Sequence, residues 1–165
     1  MMEGTVKVGG TVGQNRRKVL LMEDEELLRS VTQRALEKKG YAVQVMENGE
    51  EAIECYRKAK EAGCPYDAVI VDLNVPLGKG GKETIKGLLE LDPDVKVIVS
   101  SGDILDPALT NFRDYGFIGK LTKPFTREEL FGALHRALDG REVDCCNDLI
   151  GRNELRNEAS GSRRG

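Results

Sequence analysis

The sequence has a single histidine, four cysteines with no CxxC pair, and a formal net charge of only -3 over 165 residues. Each scarcity removes a class of function. His135 lies between apolar residues and Arg136 with no DxH or HxxxH partner, so it provides neither a metal ligand set nor the phosphohistidine of a kinase. Cys55, Cys64, Cys145 and Cys146 lack zinc-site spacing, and the adjacency of the last two suits neither a disulfide framework nor a metal cage. Free thiols of a reducing compartment are expected. The mild charge offers no footprint for a nucleic-acid or membrane partner. No charged stretch followed by an apolar segment opens the chain, and no apolar run approaches the ~20 residues of a membrane span, so a cytoplasmic protein is expected.

What is present is an ordinary globular composition, 39% hydrophobic and 32% charged, in a chain long enough for one domain and too short for two. Residues 1–17 hold Gly4, Gly9, Gly10 and Gly13 among polar residues and read as a flexible leader. Residues 140–165 have little apolar content, mix both signs of charge and end in SGSRRG, which predicts a disordered tail. Between them, over 18–139, short apolar runs alternate with helical patterns. The runs are VLLM at 19–22, YAVQV at 41–45, AVIV at 68–71, VKVIV at 95–99 and FIGKL at 117–121.

The helices carry their own punctuation. Leu27, Leu28, Val31, Ala35 and Leu36 recur at helical spacing and predict one buried face, with Gly40 placed for a left-handed stop. Asn48 with Glu51 and Thr126 with Glu129 have capping-box spacing, and Asp106 before Pro107 predicts a cap for a helix reaching Tyr115. Pro93 ends the helix carrying Ile85, Leu88 and Leu89. A strict β-α alternation with short connections predicts a parallel sheet covered on both faces, doubly wound in the order 2-1-3-4-5.

In such sheets ligands sit beyond the carboxyl ends of the strands, near the reversal of strand order. The first strand leaves Glu23 and Asp24 there, the third Asp72, the fourth Ser100 and Ser101, and the fifth is followed by Lys123 and Pro124. Carboxylates brought together repel unless a cation neutralises them, and hard oxygen ligands suit Mg²⁺. With that charge offset, Asp72 can attack phosphorus and form an acyl phosphate. Lys123 would pair with the phosphoryl oxygens, and the Ser100 hydroxyl would donate to one of them, though the adjacent Ser101 leaves that choice open.

Four segments in this order carry a resemblance. KVLLMEDEE, VIVDLNVP, VIVSSG and LTKPF resemble the motifs of the receiver domain of bacterial two-component response regulators, over about Lys18 to Leu138. The loop NVPLGKGGKE resembles the longer variant found in receivers of hybrid sensor kinases. The resemblance implies that Asp72 is the phosphoacceptor, that Asp24 and Asp72 ligate Mg²⁺ with Glu23 assisting through water, and that Asn74 adds its backbone carbonyl. It implies Ser100 and Lys123 as the phosphoryl-binding pair and a cis bond between Lys123 and Pro124. It further implies phosphoryl transfer from a sensor histidine kinase or a histidine phosphotransfer protein, with slow autodephosphorylation. Glu23 stands where aspartate is commoner, and Lys120 stands where receivers often place an aromatic switch residue.

Other readings are weaker. GKGGKE at 78–83 fails the P-loop pattern at Pro76 and Glu83, and no GxGxxG follows the first strand. An aspartyl phosphohydrolase would need a second acid where Asn74 stands, and acids after the first strand exclude a flavin phosphate. A binding module of the same fold that never accepts phosphate remains the open alternative, as does a receiver fragment of a hybrid kinase.

Overall fold

The computed structural model describes residues 16–76 and 78–139. The expectations for the leader up to residue 15 and for the tail from residue 140, with Cys145 and Cys146, lie outside the described residues. Five strands form one parallel sheet: β1 (Lys18–Met22), β2 (Ala42–Met46), β3 (Ala68–Asp72), β4 (Val97–Ser101) and β5 (Gly119–Thr122). Their order is β2-β1-β3-β4-β5, as the alternation predicts. Five helices intervene: α1 (Glu26–Lys39), α2 (Gly49–Glu61), α3 (Gly81–Leu91), α4 (Pro107–Thr110) and α5 (Arg127–Asp139), with a 3₁₀ turn at Phe112–Tyr115 before β5.

Alternation along the strands divides the interior in two. Leu20, Met22, Val69, Val71, Val97 and Val99 pack with Ile85, Leu88 and Phe117 on one face. Val19, Leu21, Ile70 and Ile98 pack with Leu36, Leu130 and Leu134 on the other. Each such fully buried side chain contributes about 1.5–3 kcal/mol. All five residues of β3 and of β4 are buried, so the sheet centre is a rigid platform.

Most punctuation signals act as read. Gly40 takes φ 105° and closes α1, Glu51 N–H donates to Asn48 Oδ1 at 3.0 Å, and Ala108 N–H donates to Asp106 Oδ1 at 2.8 Å. At the start of α5 the box is reciprocal. Thr126 N–H donates to Glu129 Oε2 at 2.6 Å, and Glu129 N–H donates to Thr126 Oγ1 at 3.1 Å.

Two expectations are corrected. Leu27 and Val31 are not on the buried face of α1; they are 72% and 51% exposed, while Thr32, Ala35 and Leu36 are buried. The amphipathic repeat predicts one stripe, but the helix meets the sheet with its later turns. The helix expected from Asp106 to Tyr115 breaks at Asn111, where φ -113° and ψ 43° leave helical geometry, into the four-residue α4 and the 3₁₀ turn. As read from the sequence, β3 ends in Asp72 and β4 in Ser100 and Ser101.

Candidate functional site

The carboxyl edge of the sheet gathers the predicted residues. Parallel register sets Asp72 opposite Ser100 and Ser101 opposite Thr122, so polar residues end three adjacent strands at the same edge as the Glu23–Asp24 pair after β1. Glu23, Asp24 and Asp72 each offer an oxygen within 4.8 Å of the others, the only such acidic cluster among the described residues. Glu23 and Asp72 are buried, at 4% and 3% exposure, and Asp24 is half-buried.

Lys123, just beyond β5, reaches back across the edge. Its Nζ lies 2.7 Å from Glu23 Oε2 and 3.0 Å from Asp72 Oδ2, and the Lys123–Pro124 bond is cis. Burial pushes the Glu23 carboxyl above its ordinary value, and the charge of Asp72 adds to this against the opposing pull of Lys123. Burial by itself would lower Lys123, but its hydrogen bonds to Glu23 and Asp72 prevail and hold the ammonium above its usual range. One half-buried cation therefore pairs with two of the three carboxylates. An excess of buried negative charge with hard oxygen donors fits a divalent cation such as Mg²⁺.

The remaining polar groups are divided between the serines. Asn74 N–H donates to Asp72 Oδ1 at 3.1 Å, and its side-chain Nδ2 donates to Ser101 Oγ at 3.2 Å. Ser101 Oγ also accepts from Asp103 N–H at 3.0 Å. Ser100 Oγ is buried without a hydrogen-bond partner. A buried hydroxyl left unpaired costs roughly 1–3 kcal/mol, so it marks a place where a ligand oxygen is wanted or strain is tolerated.

Residues that the motifs did not single out complete the surroundings. Arg29 of α1 donates from Nη1 to the carbonyl oxygens of Glu23 at 2.9 Å and Asp24 at 3.2 Å. No spacing rule points to an arginine five positions after an acidic pair. Lys82 pairs with the cap residue Asp106 at 3.1 Å. The exposed Ile104 and Leu105 form the loop between β4 and α4.

The family description "Response regulator receiver domain" matches residues 19–135. The chain belongs to that family. The receiver is 32% identical over 140 residues to the uncharacterized transcriptional regulatory protein YkoG of Bacillus subtilis, which covers 84% of this chain and 59% of the relative. It is also 32% identical over 124 residues to the sensor kinase CckA of Brucella abortus, covering 75% of this chain and 13% of the kinase. The chain thus spans less than two thirds of the length of these relatives. Among solved structures, a receiver domain of a sensor histidine kinase from Pseudomonas aeruginosa PAO1, with a magnesium ion coordinated in its active-site cleft, is 25% identical. That likeness has a TM-score of 0.66 and covers 75% of this chain and 98% of the other. As a receiver of two-component systems, the chain is related both to response regulators and to the receivers of hybrid kinases. No helix among its described residues is long and apolar enough to cross a membrane.

Proposed function

We propose that this receiver relays a two-component signal by accepting a phosphoryl group on Asp72. The convergence of Glu23, Asp24 and Asp72 within 4.8 Å, with Lys123 Nζ on two of them, carries the reading. The donor would be the phosphohistidine of a sensor kinase or of a histidine phosphotransfer protein. A carboxylate oxygen of Asp72 forms the new bond to phosphorus, and the bond from phosphorus to the imidazole nitrogen breaks with its electron pair returning to nitrogen.

Glu23, Asp24, Asp72 and the Asn74 backbone carbonyl would hold Mg²⁺, which when bound offsets the negative charge of nucleophile and phosphoryl group. Lys123 already touches Asp72, so its ammonium is placed to follow charge onto the phosphoryl oxygens without a long search. Asn74 N–H fixes one oxygen of Asp72 and leaves the carboxylate a single orientation. Ser100, opposite Asp72 with an unpaired hydroxyl, is assigned the remaining phosphoryl oxygen. A second reading gives that task to Ser101, whose oxygen accepts two N–H bonds and so keeps its own proton to donate.

Incubation with acetyl phosphate and Mg²⁺ tests the proposal. The mass should rise by one phosphoryl group, and Asp72→Asn should abolish the gain; equal incorporation in that variant would refute the acceptor. Phosphoryl lifetimes of Ser100→Ala and Ser101→Ala separate the two serines.

A further inference from the structure

The turn after β1 is held from behind by a group outside the candidate metal site. Arg29 is 14% exposed at its side chain and its guanidinium is forked: Nη1 serves the carbonyls of Glu23 and Asp24, while Nη2 lies 3.1 Å from Glu47 Oε1. Glu47 directly follows β2. A second tie runs in parallel, from Glu23 N–H to Met46 O at 3.0 Å. The acidic turn is therefore bound both to its own helix and to the neighbouring strand end.

Peptide planarity gives this clamp a direction. In a trans peptide the N–H lies opposite the C=O, so fixing the carbonyls of Glu23 and Asp24 toward Arg29 turns the N–H groups of Asp24 and Glu25 the other way. The Glu25 N–H is found on Glu23 Oε1 at 3.2 Å, which orients that carboxyl. Its other oxygen is the one that meets Lys123. Without the guanidinium, two carbonyl dipoles would be free to rotate, and the mutual repulsion of the three carboxylates would favour the rotation that spreads them.

We infer that Arg29 is a positioning residue for the cation site: it locks the peptide planes of Glu23 and Asp24 so that their carboxylates converge on Asp72. The inference rests on the reading of that cluster as a Mg²⁺ site. Arg29 touches no carboxylate of the cluster and acts through the backbone alone. Outer-sphere groups of this kind commonly alter metal affinity by about 10-fold or more.

Calorimetric titration with Mg²⁺ alone, on wild type, Arg29→Met, Arg29→Lys and Tyr56→Phe, tests it. Tyr56→Phe serves as a control, because its hydroxyl bonds Asp92, away from the acidic turn, and its loss destabilises the fold without touching the clamp. The dissociation constant should rise about 10-fold in Arg29→Met, rise less in Arg29→Lys, which keeps the charge and loses the fork, and stay within twofold of wild type in Tyr56→Phe. In the metal-free protein, the Glu25 amide should exchange faster in Arg29→Met than in wild type. Wild-type affinity in Arg29→Met, or a loss in Tyr56→Phe as large as in Arg29→Met, would overturn the role. If Arg29→Met fails to fold, Arg29→Lys decides alone: weaker binding supports the role and unchanged binding ends it. A wild type that takes up no Mg²⁺ would remove the metal-site reading and the inference together, whereas binding retained in the arginine variants removes only the inference.

Discussion

The turn after β1 and the loop after β4 border the same space, yet they are held by different means. The first is tied through Glu23 N–H to β2 and through Arg29 to two carbonyls and Glu47, and it leads into the 14-residue α1. The second, over 102–106, is held by turn bonds, Leu105 N–H to Asp103 Oδ1 at 3.0 Å and Asp106 N–H to Asp103 O at 3.3 Å, and by single ties from Asp103 N–H to Ser101 Oγ and from Lys82 to Asp106. It leaves Ile104 and Leu105 exposed and leads into a helix of four residues. The acidic side is built to stay in place, and the serine side has few buried contacts to restrain it, which is the condition for motion at low cost. Charge placement and change of shape are thus assigned to opposite banks of one site.

The largest expected effect removes the contrast altogether. With Asp72→Asn, acetyl phosphate should add no mass, and amide exchange in both segments should stay at its unphosphorylated level. A response of the β4 loop in that variant would show that its motion is independent of the acceptor.

The metal sharpens the fixed side. Mg²⁺ at ten times its dissociation constant should stabilise wild type by about 1.4 kcal/mol, a rise of a few degrees in melting temperature. Asp24→Ala should lose most of that gain. A melting temperature indifferent to millimolar Mg²⁺ would remove the difference claimed for the acidic turn.

Beryllofluoride, standing in for the phosphoryl group, tests the movable side. Exchange should change across 102–115 and much less across 24–28. Ser100→Ala should weaken the change while Lys120→Ala leaves it nearly intact; Lys120 Nζ lies 5.7 Å from the Phe112 ring centre, a contact with the 3₁₀ turn and not with the acceptor. The reverse pattern would transfer the coupling from the serine to β5.

The smallest effect lies at the α4 cap. Burial would raise Asp106, but the Ala108 N–H and Lys82 outweigh it and hold the carboxyl below its ordinary value of 3.8. Its folded value is thus depressed, so its contribution is present above the unfolded value and lost as pH falls through the folded one. Asp106→Ala should cost about 1 kcal/mol near neutral pH, with the difference from wild type shrinking in acid below pH ~4. Chemical denaturation at both pH values would show it, and a difference independent of pH would assign the cost to something other than the charged cap.

Much of this arrangement was legible because its signals are local. The apolar runs mark the strands, and Gly40, Asn48, Thr126 and Pro107 mark helix ends through backbone chemistry that needs no tertiary partner. The site was legible for a related reason: polar residues at strand ends can only gather at the sheet edge. What escaped depends on contacts between distant segments. The exposure of Leu27 and Val31 is set by where α1 meets the sheet, the break at Asn111 goes with the packing of Phe112 and Tyr115 against the core, and the role inferred for Arg29 depends on the nearness of β2 to β1. Val95 and Phe117 extend the apolar runs of β4 and β5, yet they are buried before those strands begin.

Glu23 and Lys123 are paired across 100 residues of chain. During synthesis the three carboxylates emerge well before their lysine, which follows the fifth and last strand. Long-range closure of this kind is the slow part of folding a parallel sheet, and domains complete as units once the last element docks. A chain stalled before β5 holds the proposed acceptor without its counter-charge, so on the proposed function an unfinished receiver is expected to be silent until the last strand has arrived.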